Sequence, residues 1–354
     1  MSELKKENSG RIEYLDILNV IACIAVVCMH VNGTAVNTFA KNGSWLSGLF
    51  IDCACYFAVP VFFMITGATL IDYRQRYDTR QFVKKRINRT MIPFLFWSII
   101  AILWCILALR VMSWSDISNP IKLINVIFNV RAFNIYYFFI DIFAVYLCIP
   151  FLSLMPQEKR IGKHGAFTYL IAYGFLSVSL LPTLCGLIGI DYNTSLQSPL
   201  TGGYLIYVLL GYYVTRTDFS KKSRVVIYII GVAGLLIHFG MTAVLSFRDG
   251  AMNFTYRGYT NFPTVLYALA IFVAIKYYRK GGNKKAQKIF RFLSGASFGV
   301  YLIHKYPIYV LCYIFPVNEF SIVWRIGGTL LVYALSVIAV KCVQRIPYVN
   351  KLIP

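Results

Sequence analysis

The first apolar stretch of the chain, YLDILNVIACIAVVCMH at residues 14–30, carries Asp16, Asn19 and His30 among Ile, Val, Leu and Ala. At about 100° per residue, these three and Cys23 fall within a helical sector of roughly 60°. In a helix surrounded by lipid, a polar stripe that narrow turns toward the bundle interior or a wet cavity. Histidine titrates near neutral pH and serves as a general base. Asp16 and His30 stand roughly 21 Å apart along the axis, at about 1.5 Å per residue, so they cannot touch. They belong to two stations on one face.

Other groups share each station. In FVKKRINRTMIP, residues 82–93, Arg86 and Arg89 are three apart and share a helix face. Planar guanidinium groups bind phosphate bidentately, and Lys85 adds a third cation. Asp16 lies at similar depth and is expected to pair with Arg86 or Arg89. Ordinary basic anchoring at the membrane surface is the alternative reading. In SFGVYLIHKYP, residues 297–307, Ser297, Tyr301 and His304 share a face. In NIYYFFID, residues 134–141, Asp141 sits about two turns below the start of its helix, beneath Tyr136 and Tyr137. Asp52 opens the second apolar run. These groups are expected to converge on one cavity with His30, and Asp141, Tyr137 and Asp52 are candidates to orient it. A lone membrane histidine more often packs or hydrogen-bonds, and His238 is read that way.

The elements that must position these residues are membrane helices. The 354 residues are 58% hydrophobic and 14% charged, with a mean hydropathy of +0.64. This excludes a soluble globular domain. Runs near the 20 residues needed to span a bilayer fall at 14–33, 49–71, 91–112, 134–154, 164–182, 201–216, 225–246, 262–278, 292–314 and 321–344. The expected fold is an all-α polytopic bundle of about ten helices spanning 14–344, with cytoplasmic tails at 1–13 and 345–354. No cleavable leader is recognised. With both termini inside, 27 of the 35 Lys and Arg fall in inner segments and 6 in outer loops; Lys305 and Arg325 fall in neither. That asymmetry sets the orientation and assigns the net charge of +21 to an anionic membrane surface rather than to nucleic acid. The nine cysteines contain no C-x-x-C pair and are read as small packing residues. No adjacent ligand set suggests a metal.

The order and spacing of these motifs resemble the acyltransferase 3 family of bacterial membrane proteins. The markers are Arg11-x4-Asp16-Ile17-Leu18 leading to His30, VPVFFMITGATL at 59–70, Arg86-x-x-Arg89 followed by Pro93, and the 297–307 stretch. The resemblance covers almost the whole chain. It implies a multi-pass protein of the bacterial plasma membrane that moves an acyl group, usually acetyl, from cytoplasmic acyl-CoA to a hydroxyl. The implied acceptor is a surface or lipid-linked glycan. It also implies that His30 is catalytic and that Arg86 and Arg89 engage the CoA phosphates. Tyr301 and His304 match further family positions. The sequence departs at Asn19, where many members carry Arg, and at Thr66, where many carry Ser.

Acyl transfer to an alcohol needs a base and a stabilised oxyanion. His30 is the expected base, and His304 or Tyr301 the expected oxyanion donor. Lys85, Arg86, Arg89, Asp16 and Asn19 form the expected donor-binding end. The loops 113–133, 183–200 and 247–261 are expected to select the acceptor, with Trp114, Tyr192, Tyr256 and Tyr259 available to stack on sugar rings. The competing reading is a secondary transporter or flippase whose substrate path is the same polar stripe. No inverted repeat and no matched pair of broken helices favours it.

Overall fold

The computed structural model describes residues 13–162, 164–278 and 284–354. Arg11 lies outside these residues. Among them every regular element is helical and no strand occurs. Seven helices are long and apolar enough to cross a membrane, and two shorter apolar helices span Leu205–Arg216 and Phe262–Tyr278. The protein is a multi-pass membrane protein.

Helix α1 (Glu13–Val31) is the central element. It opens with Glu13 and Asp16 in its first turn, where acids complement the helix dipole. Most of its apolar residues are buried. It packs against helices from both halves of the chain, including the one after Ala58 and the last one.

The second expected run, 49–71, begins six residues earlier than the sequence suggests and is broken. Asn42 caps α2 (Gly43–Cys55) by accepting the Trp45 N–H at 2.9 Å. The helix pauses at Tyr56 and Phe57, and α3 (Ala58–Leu70) follows with Pro60 in its first turn. Asp52 therefore sits inside α2 rather than opening it.

Helix α4 (Thr79–Leu107) and helix α6 (Ala166–Leu187), on either side of α5 (Asn134–Leu152), each contain a π turn, at Ile87–Met91 and Phe175–Leu180. Each turn lies just ahead of a proline, Pro93 or Pro182. A proline removes the N–H that its i−4 carbonyl would accept, and a widened turn absorbs the misfit. The π turn at 87–91 carries Arg89.

The short α7 (Leu205–Arg216) owes its place to two glycines. A Cβ on Gly67 of α3 would lie 1.8 Å from the Val208 carbonyl oxygen, and one on Gly211 of α7 would lie 1.9 Å from that of Met64. Each glycine admits the other helix's backbone. Close approach through small residues is how apolar helices gain packing without a solvent-driven term. Helices α8 (Lys221–Asp249) and α9 (Phe262–Tyr278) pair beside this core.

The run expected at 292–314 is three pieces: α10 (Lys284–Ser294), α11 (Ser297–Ile303) and α12 (Lys305–Ile314). Gly295 and Ala296 separate the first two. His304 stands at the second break, because Pro307 has no N–H for the Ile303 carbonyl. Helix α13 (Trp324–Val343) closes the bundle. The expected tail after 344 folds back: Trp97 Nε1 donates to the Leu352 carbonyl at 2.9 Å, and Ile353 is fully buried. The expected loop 113–133 also contains a helix, Pro120–Phe128, which exposes Ile121, Ile124 and Phe128. A short helix with such a face suits the membrane interface.

Candidate active site

From Asn19 to His30 the polar stripe of α1 meets the 294–304 stretch. At the N-terminal end, Asn19 Nδ2 donates to Ser294 Oγ at 2.9 Å and to the Ser294 carbonyl at 3.2 Å. One turn on, Cys23 Sγ lies 3.6 Å from the Ser297 carbonyl. At the far end, the His30 ring stacks on His304, with centroids 5.1 Å apart and planes 28° apart. Sequence spacing placed these two histidines at one level, and the fold brings them into contact. His304 is fully buried, whereas His30 keeps part of its surface exposed.

His304 has a defined tautomer. Its Nδ1 lies 3.0 Å from the Val300 carbonyl, which can only accept, so Nδ1 carries the proton. Nε2 then presents a lone pair, buried and without a partner. With Nδ1 committed to Val300, only Nε2 of His304 is left to meet a reacting group.

Tyr301 is committed as well. Its hydroxyl donates to the Ile135 carbonyl, and the Tyr136 hydroxyl donates to the Leu302 carbonyl at 2.8 Å. These crossed bonds fasten α11 to the start of α5. They fix the turn that carries His304, and they leave no free proton on Tyr301 for an oxyanion.

Asp52, a candidate to orient His30, is paired elsewhere. Its Oδ2 accepts from Arg257 Nε at 3.0 Å and Nη2 at 2.8 Å. Burial works against the Arg257 charge, but the Asp52 carboxylate outweighs it and raises the Arg257 pKa. The pair anchors the 250–261 loop over the site. That loop delivers Tyr259, whose hydroxyl reaches Met29 Sδ at 3.9 Å, next to His30. Tyr259 stacks on Tyr56 at 4.5 Å between centroids and lies 6.4 Å from Tyr137 and 6.2 Å from Tyr204. Asp141 is partly buried and follows Tyr137 by one helical turn on α5. Of the four aromatics expected to face an acceptor, only Tyr259 joins this cluster. Trp114 is exposed, Tyr256 is buried, and Tyr192 donates to the Ser177 carbonyl at 2.6 Å. Tyr56 and Tyr204 carried no signal in the sequence, because isolated tyrosines are common in membrane helices. His238 is buried against the edge of Tyr56, with ring centroids 5.0 Å apart.

A cavity of about 580 Å³ is lined by Arg86, Arg89 and Thr90, by Asn19 and Thr66, and by Ser297 and Tyr301. Tyr301 lies one helical turn before His304 in the chain. Arg86 and Arg89 line this cavity together with Asn19. Lys85 does not; its Nζ sits 3.6 Å from the Tyr77 ring centroid. Asp16 also faces elsewhere. It lines an adjoining chamber with Asp72, Arg76 and Arg216, not the Arg86/Arg89 cavity as expected. Among the described residues no group of three or more His, Cys, Asp or Glu is placed to hold a metal ion.

Searches of curated proteins and of solved structures find no match. A family model described as an acyltransferase domain matches residues 12–341, a span that contains the histidine stack and the arginine pair. The chain belongs to the acyltransferase 3 family.

Proposed function

We propose that this membrane acyltransferase moves an acyl group, acetyl being the expected one, from cytoplasmic acyl-CoA to a hydroxyl of an exported or surface glycan. The reading takes all ten apolar segments as spans, with both termini in the cytoplasm. The observation that carries it is a cavity lined by both Arg86 and Arg89 and by Tyr301, one helical turn before the His304 that stacks on His30. A phosphorylated carrier with a long, narrow arm fits that cavity. The diphosphate meets the two guanidinium groups, and the arm passes Thr66 toward Tyr301.

His30 removes the proton of the acceptor hydroxyl as its oxygen attacks the thioester carbonyl. The new C–O bond forms, the C–S bond breaks, and the CoA thiolate leaves and takes a proton. The stack on His304 holds the His30 ring in place. Lys305, which follows His304 in the chain, is a cation available to the developing oxyanion. The tyrosine cluster and Asp141 form the polar wall on the acceptor side. The test is transfer by purified protein from labelled acetyl-CoA, with surface glycans analysed by mass spectrometry. His30→Ala is expected to fold, insert and bind acyl-CoA without transferring. Wild-type rates in that variant would overturn the mechanism.

A further inference from the structure

The adjoining chamber at the N-terminal end of α1 has a volume of about 460 Å³, inside the range of small-molecule sites, about 300–1,000 Å³. Asn19, Ile65 and Ser294 line both this chamber and the donor cavity, so the two are neighbours across one wall. The hydrogen-bonded Asn19–Ser294 pair is the polar part of that wall.

The chamber is lined by two guanidinium groups, Arg76 and Arg216, and two carboxylates, Asp16 and Asp72. Asp72 accepts from both Arg216 and Arg160, so two guanidinium groups share one carboxylate. Arg76 stands beside them. Its Nη2 donates to the Thr69 carbonyl at 2.6 Å, and among the described residues its other N–H groups make no hydrogen bond. Gln75 and Asn19 add amides that both donate and accept.

This pattern has a counterpart in the donor. CoA carries a diphosphate between pantetheine and adenosine, and a third phosphate on the ribose 3′ oxygen. Arg86 and Arg89 stand three residues apart at the π turn and line the same cavity, which suits one diphosphate. A donor with its diphosphate there and its pantetheine pointing to Tyr301 has its adenosine directed out of the first cavity. We propose that the second chamber receives the adenosine 3′-phosphate end of acyl-CoA, with Arg76 contacting the 3′-phosphate and Arg216 held by Asp72 to support it. The proposal rests on the acyl-CoA reading above.

The experiment compares binding of CoA and 3′-dephospho-CoA to the purified full chain. Wild type is expected to prefer CoA by about tenfold, the effect of one charge-assisted contact. Arg76→Gln is expected to bring that ratio close to one, and Arg76→Lys to restore part of it. Arg89→Gln is expected to weaken both ligands while keeping the ratio. Equal affinities in wild type, or an undiminished ratio in Arg76→Gln, would overturn the proposal alone. Failure of wild type to bind either nucleotide would overturn it together with the acyl-CoA reading.

Discussion

Tyr301→Phe separates two roles that a tyrosine beside a catalytic histidine can play. In the structure its only proton goes to the Ile135 carbonyl, a residue 2% exposed. Removing the hydroxyl leaves that carbonyl buried without a donor, which costs about 1–3 kcal/mol. The reciprocal bond from Tyr136 to Leu302 stays, so α11 remains seated and His304 keeps its place. The expected result is a lower thermal midpoint in detergent with the turnover of folded protein within a few-fold of wild type. An oxyanion donor behaves differently, since its loss lowers kcat by about 10²–10³. Tyr136→Phe provides the matched control, because it removes the other crossed bond and leaves the Leu302 carbonyl unpaired. The two single variants and the double variant form a cycle in which the losses couple through the shared junction. A hundredfold fall in kcat with an unchanged midpoint would refute the assignment of Tyr301 as a structural tie.

Other substitutions read other parts of the molecule. Arg86→Ala with Arg89→Ala should weaken acyl-CoA binding by at least about a hundredfold, from two charge-assisted contacts at about 1.5–3 kcal/mol each; calorimetric titration checks it. Asp72→Asn should destabilise the protein by about 3–5 kcal/mol, because it leaves the buried Arg160 guanidinium without its counter-charge. Thermal unfolding and yield in membranes report this. Gly211→Ala should cost about 1–3 kcal/mol or more, since its Cβ would meet the Met64 carbonyl at 1.9 Å. An unchanged midpoint would show that α3 and α7 can separate freely.

The helices were legible because lipid makes apolar length a strong signal, and nearly every expected segment has a helical counterpart. The breaks were less legible. Pro307 and Pro93 are visible in the sequence, but whether a proline yields a stop, as at His304, or a π turn, as at 87–91, depends on what the neighbouring helices can satisfy. The convergence of His30 with His304 was expected from depth, since two helices of the expected orientations share a level. Partners across helices did not follow from depth. Asp52 shares the His30 region yet belongs to Arg257, and the loop position of that arginine gives no hint of its burial.

Asn19 sharpens the point. As a residue type in an apolar helix it implies only that some partner exists. That partner is Ser294, 275 positions away, at the end of an amphipathic helix that the sequence presents as part of a basic loop. An arginine at this position would place a guanidinium in the wall between the two chambers. Asparagine instead closes the wall with a neutral hydrogen bond and leaves the cations to Arg86 and Arg89 on one side and to Arg76 and Arg216 on the other. Guanidinium groups thus stand in both chambers, those of the second beside Asp16 and Asp72, with a neutral seam between, an arrangement that suits a ligand whose phosphates are themselves divided between two positions.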